Sequence, residues 1–480
     1  MKVLLVGEGA RENAIAWKIS QEGARVYSIM GYVNPGIKRI VENSGGKFIM
    51  GNIRNPNDVL NAAEAFSPEL IIVGPEEPLF KGVCDKVREK GFACFGPSFK
   101  ASKIEESKVW MRNLMWKHKI KGRLRFKSFK SVEEASKYIL EYGGSIAIKP
   151  SRQAGGRGVK VVADLQAYLT KEKREAVSKS ASEIASLAQE EEDKILIEEK
   201  VDGVEYTLHV ITDGLNVLPL PLAQDYKHAY SYSIGPETGG MGSISGPKEL
   251  LPFIEEEEFK TSLEIVRETI NAIKAEVNED YIGFIAGQMM LTPLWGPTII
   301  EYYSRLGDPE ASAILPRIKS SMLELFDLAV NKGLHRAKIE VDERVSVVKA
   351  IAPIGYPLDR KMASNKLVFI DERKIKERGC LVFYGSISEQ GEKLITMGSR
   401  AIEIAALSDS FEQASRKVDE CISYVEIEGG MIYRSEIGKE ETIAEQREKS
   451  SISRHSYKLR ERKGILGVSK DWSPKEELRW

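Results

Sequence analysis

The chain has 480 residues, 42% hydrophobic and 29% charged, with a formal net charge of -1. That length exceeds what one hydrophobic core organises and implies roughly three or four domains. The near-neutral charge excludes a global basic field for nucleic acid, so an anionic ligand must be held by local groups.

Residues 1–100 predict alternating strands and helices. Val3–Val6 is a strand, and Gly7-Glu8-Gly9-Ala10-Arg11-Glu12 turns into the amphipathic stretch Asn13–Gln21. Arg25–Met30, Leu70–Val73 and Phe92–Phe95 are further strands, an alternation that implies a parallel sheet with helices on both faces. The Gly7-x-Gly9 turn lacks the third glycine of a dinucleotide fingerprint, Glu12 standing there, and Ser28-Ile29-Met30-Gly31 offers no ribose-binding acid. What remains is an anion site of free backbone N–H groups and helix dipole, with Arg11 adding a charge and Asn34-Pro35-Gly36 closing over the same ligand. The alternative is a tight turn that binds nothing. Met1–Gly7 is too short and too quickly turned for a signal peptide, and no run of about 18 apolar residues occurs, so a cytoplasmic protein without a membrane segment is expected.

Charged amphipathic helices are predicted around Lys103–His118 and Val132–Tyr142, followed by the strand Ser145–Lys149. No P-loop sequence occurs. Instead Lys149 sits at a strand end, a point charge for a phosphate, and Gln153–Gly158 is a glycine loop whose amides can approach further phosphates. After a long polar helical stretch, Gln166–Glu192, the strand Ile195–Glu199 ends in two glutamates, with Asp202-Gly203-Val204-Glu205 beyond. A strand end there offers backbone groups to adenine and a carboxylate to ribose; the bland alternative is a surface Glu-Glu pair.

Residues 200–330 mix strands and glycine-rich loops and end in a helix near Ile314–Val330. The loop Gly235–Gly242 has few residues to bury and either is disordered or wraps a ligand. Ile299–Glu310 puts Glu301 on a strand and Arg305 just past it, a carboxylate for Mg²⁺ on a triphosphate and a cation for a transferring phosphoryl group, unless the two simply pair. From about 339, short strands (Ser346–Ala352, Leu381–Tyr384, Lys393–Met397) and the helix Ser410–Tyr424 are expected, with a polar, basic tail from Lys439 as a surface helix or partly disordered. Cys84, Cys94, Cys380 and Cys421 show no CxxC spacing and predict buried, reduced thiols.

In this order the segments resemble the phosphoribosylamine–glycine ligases, or glycinamide ribonucleotide synthetases, a family of the ATP-grasp superfamily. The resemblance runs from Met1 to about Gly438 through Gly7-x-Gly9-x-Arg11-Glu12, Asn34-Pro35-Gly36, Val73-Gly74-Pro75-Glu76, Glu106-Ser107-Lys108, Gly156-Arg157-Gly158-Val159 and Gln224-Asp225-x-Lys227. Its most specific pieces are Thr238-Gly239-Gly240-Met241-Gly242 and Arg305-x-Gly307-Asp308-Pro309-Glu310.

The resemblance implies a multidomain α/β protein. It has an N-terminal parallel α/β domain (1–100), a two-lobed α+β ATP-grasp core (small lobe 101–194, large lobe 195–335), a C-terminal mixed α/β domain (336–438) and the tail 439–480. It implies that Lys108, Lys149, Gly155, Gly156, Arg157, Gly158, Glu198, Glu199 and Glu205 bind ATP, and that Glu301 holds Mg²⁺ or Mn²⁺; Glu237 on the glycine loop is a second, neighbouring acid that could take over coordination. Arg305, Asp225 and Lys227 would be catalytic. Gly9, Arg11, Glu12, Asn34, Pro35, Gly36, Gly74, Pro75, Glu76, Thr238, Gly239, Gly240, Met241 and Asp308 would bind the small-molecule substrates, glycine and 5-phosphoribosylamine. A monomer or weak homodimer is expected. The chain departs from the family at Tyr303, where the family has a metal-binding asparagine, and at Asn13, Arg157 and Ser233. A ligase for another carboxylate, such as formate or CO₂, and a nucleotide-binding paralogue with weak activity are the alternatives.

Overall fold

The computed structural model describes residues 1–131, 134–135, 137–138, 146–150, 160–162 and 195–468. The first hundred residues build a wholly parallel five-stranded sheet in the order Phe48–Met50, Arg25–Met30, Lys2–Val6, Leu70–Val73, Cys94–Phe95. The central strand is buried from Val3 to Val6, as a strand covered on both faces must be. Its two neighbours lie on opposite sides, so the crevice beyond its carboxyl end is the switch point where sheets of this kind take ligands. Gly7–Gly9 and Gly74–Glu76 both open there.

Sequence expectation and structure part where a helix is interrupted. Lys103–His118 is two helices, Phe99–Glu106 and Lys108–Lys117, because Ser107 adopts φ -122° and ψ 107° and its hydroxyl caps the second by accepting from Trp110 N–H. Ile314–Val330 is likewise broken into Glu310–Ile314, a 3₁₀ turn at Leu315–Arg317 and Met322–Val330, with Pro316 in the turn and Ser321 as the new cap. The reading of 200–330 missed a long helix, Glu256–Val277, whose first turn carries Glu256, Glu257 and Glu258 at the positive end of the dipole.

Phe126–Phe129, Ile195–Glu199, Ile146–Pro150 and Lys160–Val162 form the antiparallel sheet of the small lobe. The glycine loop with Gly155, Gly156, Arg157 and Gly158, the 166–192 stretch and most of 132–142 lie outside the described residues. A large antiparallel sheet follows in the order Gly296–Tyr303, Ile282–Thr292, Val204–Asp213, Ala223–Asp225, Gly242–Ser245, Val345–Pro353, Ile402–Ser408, Cys380–Tyr384. It runs straight through the boundary placed at 335/336. Residues beyond that point add a four-stranded sheet of Ile387–Gln390, Lys393–Met397, Ser364–Ile370 and Val425–Ile427. No helix among the described residues is long and apolar enough to cross a membrane, and all four cysteines are buried.

The segment after 439 is a helix, Glu440–Arg462, docked on the large lobe through buried Ile443, Ser450, Ser453 and Tyr457. Arg454 Nε and Nη2 donate to the two oxygens of Glu258 at 2.7 and 2.8 Å, and Tyr457 OH donates to Glu258 Oε1 at 3.2 Å. Glu258 is 1% exposed. Arg454→Ala therefore leaves the buried carboxylate with hydrogen bonds but without its counter-charge and is expected to weaken the docking by about 3 kcal/mol. Native-state amide exchange across 440–462 reads this directly, and unchanged protection would contradict it.

Candidate active site

One face of the large sheet lines a cleft shared with the small lobe. The register sets Thr207 opposite Gln288, Gln288 opposite Glu301 and Ala286 opposite Tyr303. Because alternate residues share a face, Glu205, Thr207 and His209 stand in rows with Gln288, Glu301 and Tyr303.

At the small-lobe end three cations meet two carboxylates. Lys149 Nζ lies 2.8 Å from Glu198 Oε2, Arg112 Nε donates to Glu198 Oε1 at 2.6 Å, and Lys108 Nζ donates to Glu301 Oε2 at 2.5 Å. Burial pushes the Glu198 carboxyl up, yet Arg112 and Lys149 outweigh it and hold it at about 2. Burial loosens the Lys149 proton against the pull of Glu198, and Arg112 and Lys108 loosen it further, so this lysine gains from an added anion. Glu199 faces the other way, as an adjacent strand residue must. It accepts from the Arg125 N–H at 2.9 Å and the Trp295 indole N–H at 3.2 Å, outside the lysine cluster.

In the middle of the cleft Tyr303 OH donates to Glu301 Oε1 at 2.6 Å. Lys227 Nζ lies 3.8 Å from that oxygen and 3.4 Å from Glu205 Oε2. Gln288 Nε2 donates to Glu205 Oε2 at 3.0 Å and Asp225 Oδ1 at 3.2 Å, while its own oxygen accepts from Thr207 at 2.7 Å. Burial alone would loosen the Lys227 proton, but the carboxylates of Glu205, Asp225 and Glu301 hold the ammonium well above its ordinary value. Burial likewise opposes ionisation of Glu301, and Lys108 and Lys227 overrule it. Burial raises Asp225 and Glu237.

Among the described residues no cluster of three or more His, Cys, Asp or Glu is arranged to hold a metal. Burial and Glu301 keep the Tyr303 phenol protonated, so it is a donor to Glu301 and a poor ligand. Mg²⁺ usually takes one or two carboxylates and completes its shell with water and substrate phosphate. Glu301 between two lysines fits a cation arriving with a triphosphate and does not fit a metal held by protein alone.

The far end is built on Arg305. Its Nε donates to Glu76 Oε2 at 3.1 Å, its Nη2 lies 3.3 Å from Glu105 Oε1, and its guanidinium carbon sits 4.5 Å from the Tyr303 ring centre. Arg11 Nη2 lies 3.7 Å from the same Glu76 oxygen. Burial pushes the half-buried Glu76 carboxyl up, and Arg305 and Arg11 together outweigh it and keep it ionised. His209, whose Nε2 accepts from Gly307 N–H at 3.0 Å, is held neutral at about 3 by burial and Arg305.

Several expected ligands are committed to the fold. Glu12 Oε2 accepts from Gly9 N–H at 2.7 Å and its Oε1 from Arg11 Nε at 2.6 Å, so the Gly9 amide expected to be free is occupied by the turn's own carboxylate. Gly74 is required there, since a Cβ would lie 2.4 Å from Glu12. Asn34 caps its helix through Gly36 and Ile37 and donates to Tyr384 O at 2.7 Å, fastening Pro35 and Gly36 to the C-terminal region. Thr238 Oγ1 donates to Lys227 O at 2.7 Å, and Met241 is buried.

The reading of the sequence missed the residue that joins the two most specific segments. Arg400 Nη1 donates to the carbonyls of Gly239, Gly240 and Asp308 at 2.9, 2.7 and 2.8 Å, and its Nη2 lies 2.8 Å from Asp308 Oδ1. Burial and Asp308 push the neighbouring Glu403 carboxyl well up. Nothing local in the sequence marks Arg400 or Gln288: sheet register brings in Gln288, and Arg400 comes from the connection between Lys393–Met397 and Ile402–Ser408. Arg112 had a signal: it lies four residues after Lys108 on one helical face.

Comparison with known proteins follows this layout. Residues 1–105, 106–311 and 346–440 match the N, ATP-grasp (A) and C domains of phosphoribosylglycinamide synthetase. A phosphoribosylamine–glycine ligase of Pyrococcus horikoshii is 40% identical over 443 residues, 92% of this chain and 96% of its own. One from Methanocaldococcus jannaschii is 40% identical over 454 residues, 94% of this chain and 99% of its own. The crystal structure of phosphoribosylamine–glycine ligase from Thermotoga maritima aligns with a TM-score of 0.74 at 27% identity, covering 91% of this chain and 99% of that one. The biotin carboxylase domain of a Hydrogenobacter thermophilus 2-oxoglutarate carboxylase shares the fold at 17% identity and TM-score 0.66, over 98% of this chain and 99% of its own. The chain belongs to the phosphoribosylglycinamide synthetase family.

The Glu198 ion pairs have a pH signature. Its folded carboxyl lies at about 2 against an ordinary 4.5, so their stabilisation is complete above pH 4.5 and is lost as pH falls toward 2. Glu198→Gln should cost about 3 kcal/mol at pH 7. The gap from the parent, measured by urea unfolding at several pH values, should shrink between pH 4.5 and 2; a gap as large at pH 2.5 as at pH 7 contradicts the pairing.

Proposed function

We propose that this member of the phosphoribosylglycinamide synthetase family is an ATP-dependent cytoplasmic ligase of purine biosynthesis that joins glycine to 5-phosphoribosylamine, giving glycinamide ribonucleotide, ADP and phosphate. One observation carries the reading: a single cleft gathers Lys149, Lys108 and Glu301 at one end and Arg305 with Arg11 and Glu76 at the other. The names and coverage of the relatives support the same substrates.

A carboxylate is a poor electrophile at neutral pH, so amide formation needs activation. A glycine carboxylate oxygen attacks the γ-phosphorus of ATP, the bond to ADP breaks, and glycyl phosphate forms. The amine of phosphoribosylamine then attacks the acyl carbon, phosphate leaves, and the amine gives up a proton. No protein nucleophile takes part. In this scheme Lys108 and Lys149, with the loop Gly155, Gly156, Arg157 and Gly158, neutralise the phosphates of ATP. Glu198 and the strand end at Glu199 face the nucleoside, and Glu205 the ribose. Arg305 takes up charge on the transferring phosphoryl group, and Lys227 with Asp225 orients the acyl phosphate. Arg11 and Glu76, on the frame of Gly9, Glu12, Asn34–Gly36, Gly74 and Pro75, meet phosphoribosylamine, and Thr238–Met241 with Asp308 close over the reacting end. Glu301 would hold the Mg²⁺ or Mn²⁺ of the nucleotide, with Glu237 as a second carboxylate; the bound ion supplies charge neutralisation at the phosphates.

Sustained ADP release is expected only when glycine and freshly generated phosphoribosylamine are both present. Formate or bicarbonate supporting the same rate in place of glycine would assign the enzyme to another carboxylate. Tyr303→Asn adds an oxygen ligand where a donor now stands and is expected to lower the free Mg²⁺ giving half-maximal rate. If Glu237 completes the shell instead, Tyr303→Asn leaves the Mg²⁺ requirement unchanged and Glu237→Ala raises it.

A further inference from the structure

Gly467 joins the two lobes behind the nucleoside end of the cleft. Its N–H donates to Leu294 O at 3.0 Å, in the turn between Ile282–Thr292 and Gly296–Tyr303 of the large lobe. Its carbonyl accepts from Arg125 Nη2 at 2.6 Å, beside the small-lobe strand Phe126–Phe129. Arg125 passes the link on: its N–H donates to Glu199 Oε1 at 2.9 Å, its Nη1 to Glu199 Oε2 at 3.2 Å, and its guanidinium lies 5.3 Å from the Trp295 ring centre. Trp295 closes the circuit through its own bond to Glu199 at 3.2 Å.

Only glycine fits this place. Gly467 has φ +75°, and a Cβ would lie 2.0 Å from the Trp295 ring. The docked helix Glu440–Arg462 delivers the residue: Arg454 is fixed on Glu258, Tyr457 lies against Gly296, and Arg460 Nη1 donates to Val468 O at 2.7 Å to hold the chain beyond. The helix and the segment that follows it lie from residue 440 onward, where the match to the family's C domain ends.

We propose that the segment Gly464–Val468 is a latch that sets the angle of the small lobe on the large lobe and so positions the nucleotide end of the site, with Gly467 and Arg125 as positioning residues. The inference rests on the reading above that nucleotide lies along Ile195–Glu199. Lys149 and Glu198 ride on the sheet that Arg125 and Glu199 anchor, whereas Glu301 rides on the large lobe. A small tilt between the lobes therefore moves Lys149 relative to Glu301, and an ångström of displacement is enough to weaken binding.

Gly467→Val in the full chain places methyls in Trp295 and leaves the Arg454–Glu258 contact alone; a chain ending at Lys463 removes the latch but keeps the helix. Both should raise KM for ATP and the Kd for ADP, measured by calorimetry, about tenfold or more. KM for glycine should not move. Unchanged ADP affinity in both variants, or equal rises in KM for ATP and glycine accompanied by a lowered Tm, would overturn the latch. Failure of the parent protein to turn over glycine would sink the proposed function alone, because ADP binding still reports on the latch.

Discussion

Arg112 is the fixed point of the cleft. Its guanidinium is fully buried and donates to Glu198 Oε1, to the carbonyl of Ile299 and to that of Ile300. One planar group thereby ties the small-lobe strand that carries Glu198 to the large-lobe strand that carries Glu301, at the end where Lys149 and Lys108 converge. A lysine could not do this, because its single ammonium lacks the fork that reaches three acceptors in fixed directions. Burial makes the arrangement demanding. With Glu198 withdrawn a charge would stay in the interior without its partner, and with either carbonyl withdrawn a buried N–H would go unsatisfied.

The same economy of shared groups organises the rest of the site. Glu76 lies between Arg305 and Arg11 and so joins the parallel sheet to the strand end beyond Glu301. Arg400 joins the third region, spanning Gly239, Gly240 and Asp308. Each region of the chain thus contributes one arginine or glutamate that another region needs, and the cleft exists only where all of them meet.

Much of this was legible in the sequence, and what was not has a physical reason. Strands such as Arg25–Met30, Leu70–Val73, Ile195–Glu199 and Lys393–Met397 carry apolar runs that mark their own limits, and the structure keeps those limits. Helix breaks were harder, because Ser107 and Ser321 read as ordinary polar residues until their caps are seen. Lys108, Lys149, Glu301 and Arg305 sit in short motifs and were visible; Gln288, Glu105, His209 and Arg400 act through long-range register and packing, which one sequence does not display. Glu12 and Asn34 show the converse: both stand in ligand-like motifs, and both spend their side chains on the backbone around them. The pair Glu198-Glu199 divides in the same way, since a strand turns neighbours to opposite faces.

The unbroken pairing of Gly242–Ser245 with Val345–Pro353 has a consequence for how the molecule is assembled. The three stretches that match as family domains are units of inheritance, but two of them share one hydrogen-bonded ladder and so cannot be units of folding. Residues 204–303 and 345–408 must gain and lose their order together, because neither stretch has a finished sheet edge without the other. Ribosomal synthesis therefore leaves the large lobe with an open ladder until the chain has passed the strand Ile402–Ser408, whereas the parallel sheet at the N-terminus and the small-lobe sheet have all their described strands in place ahead of that moment.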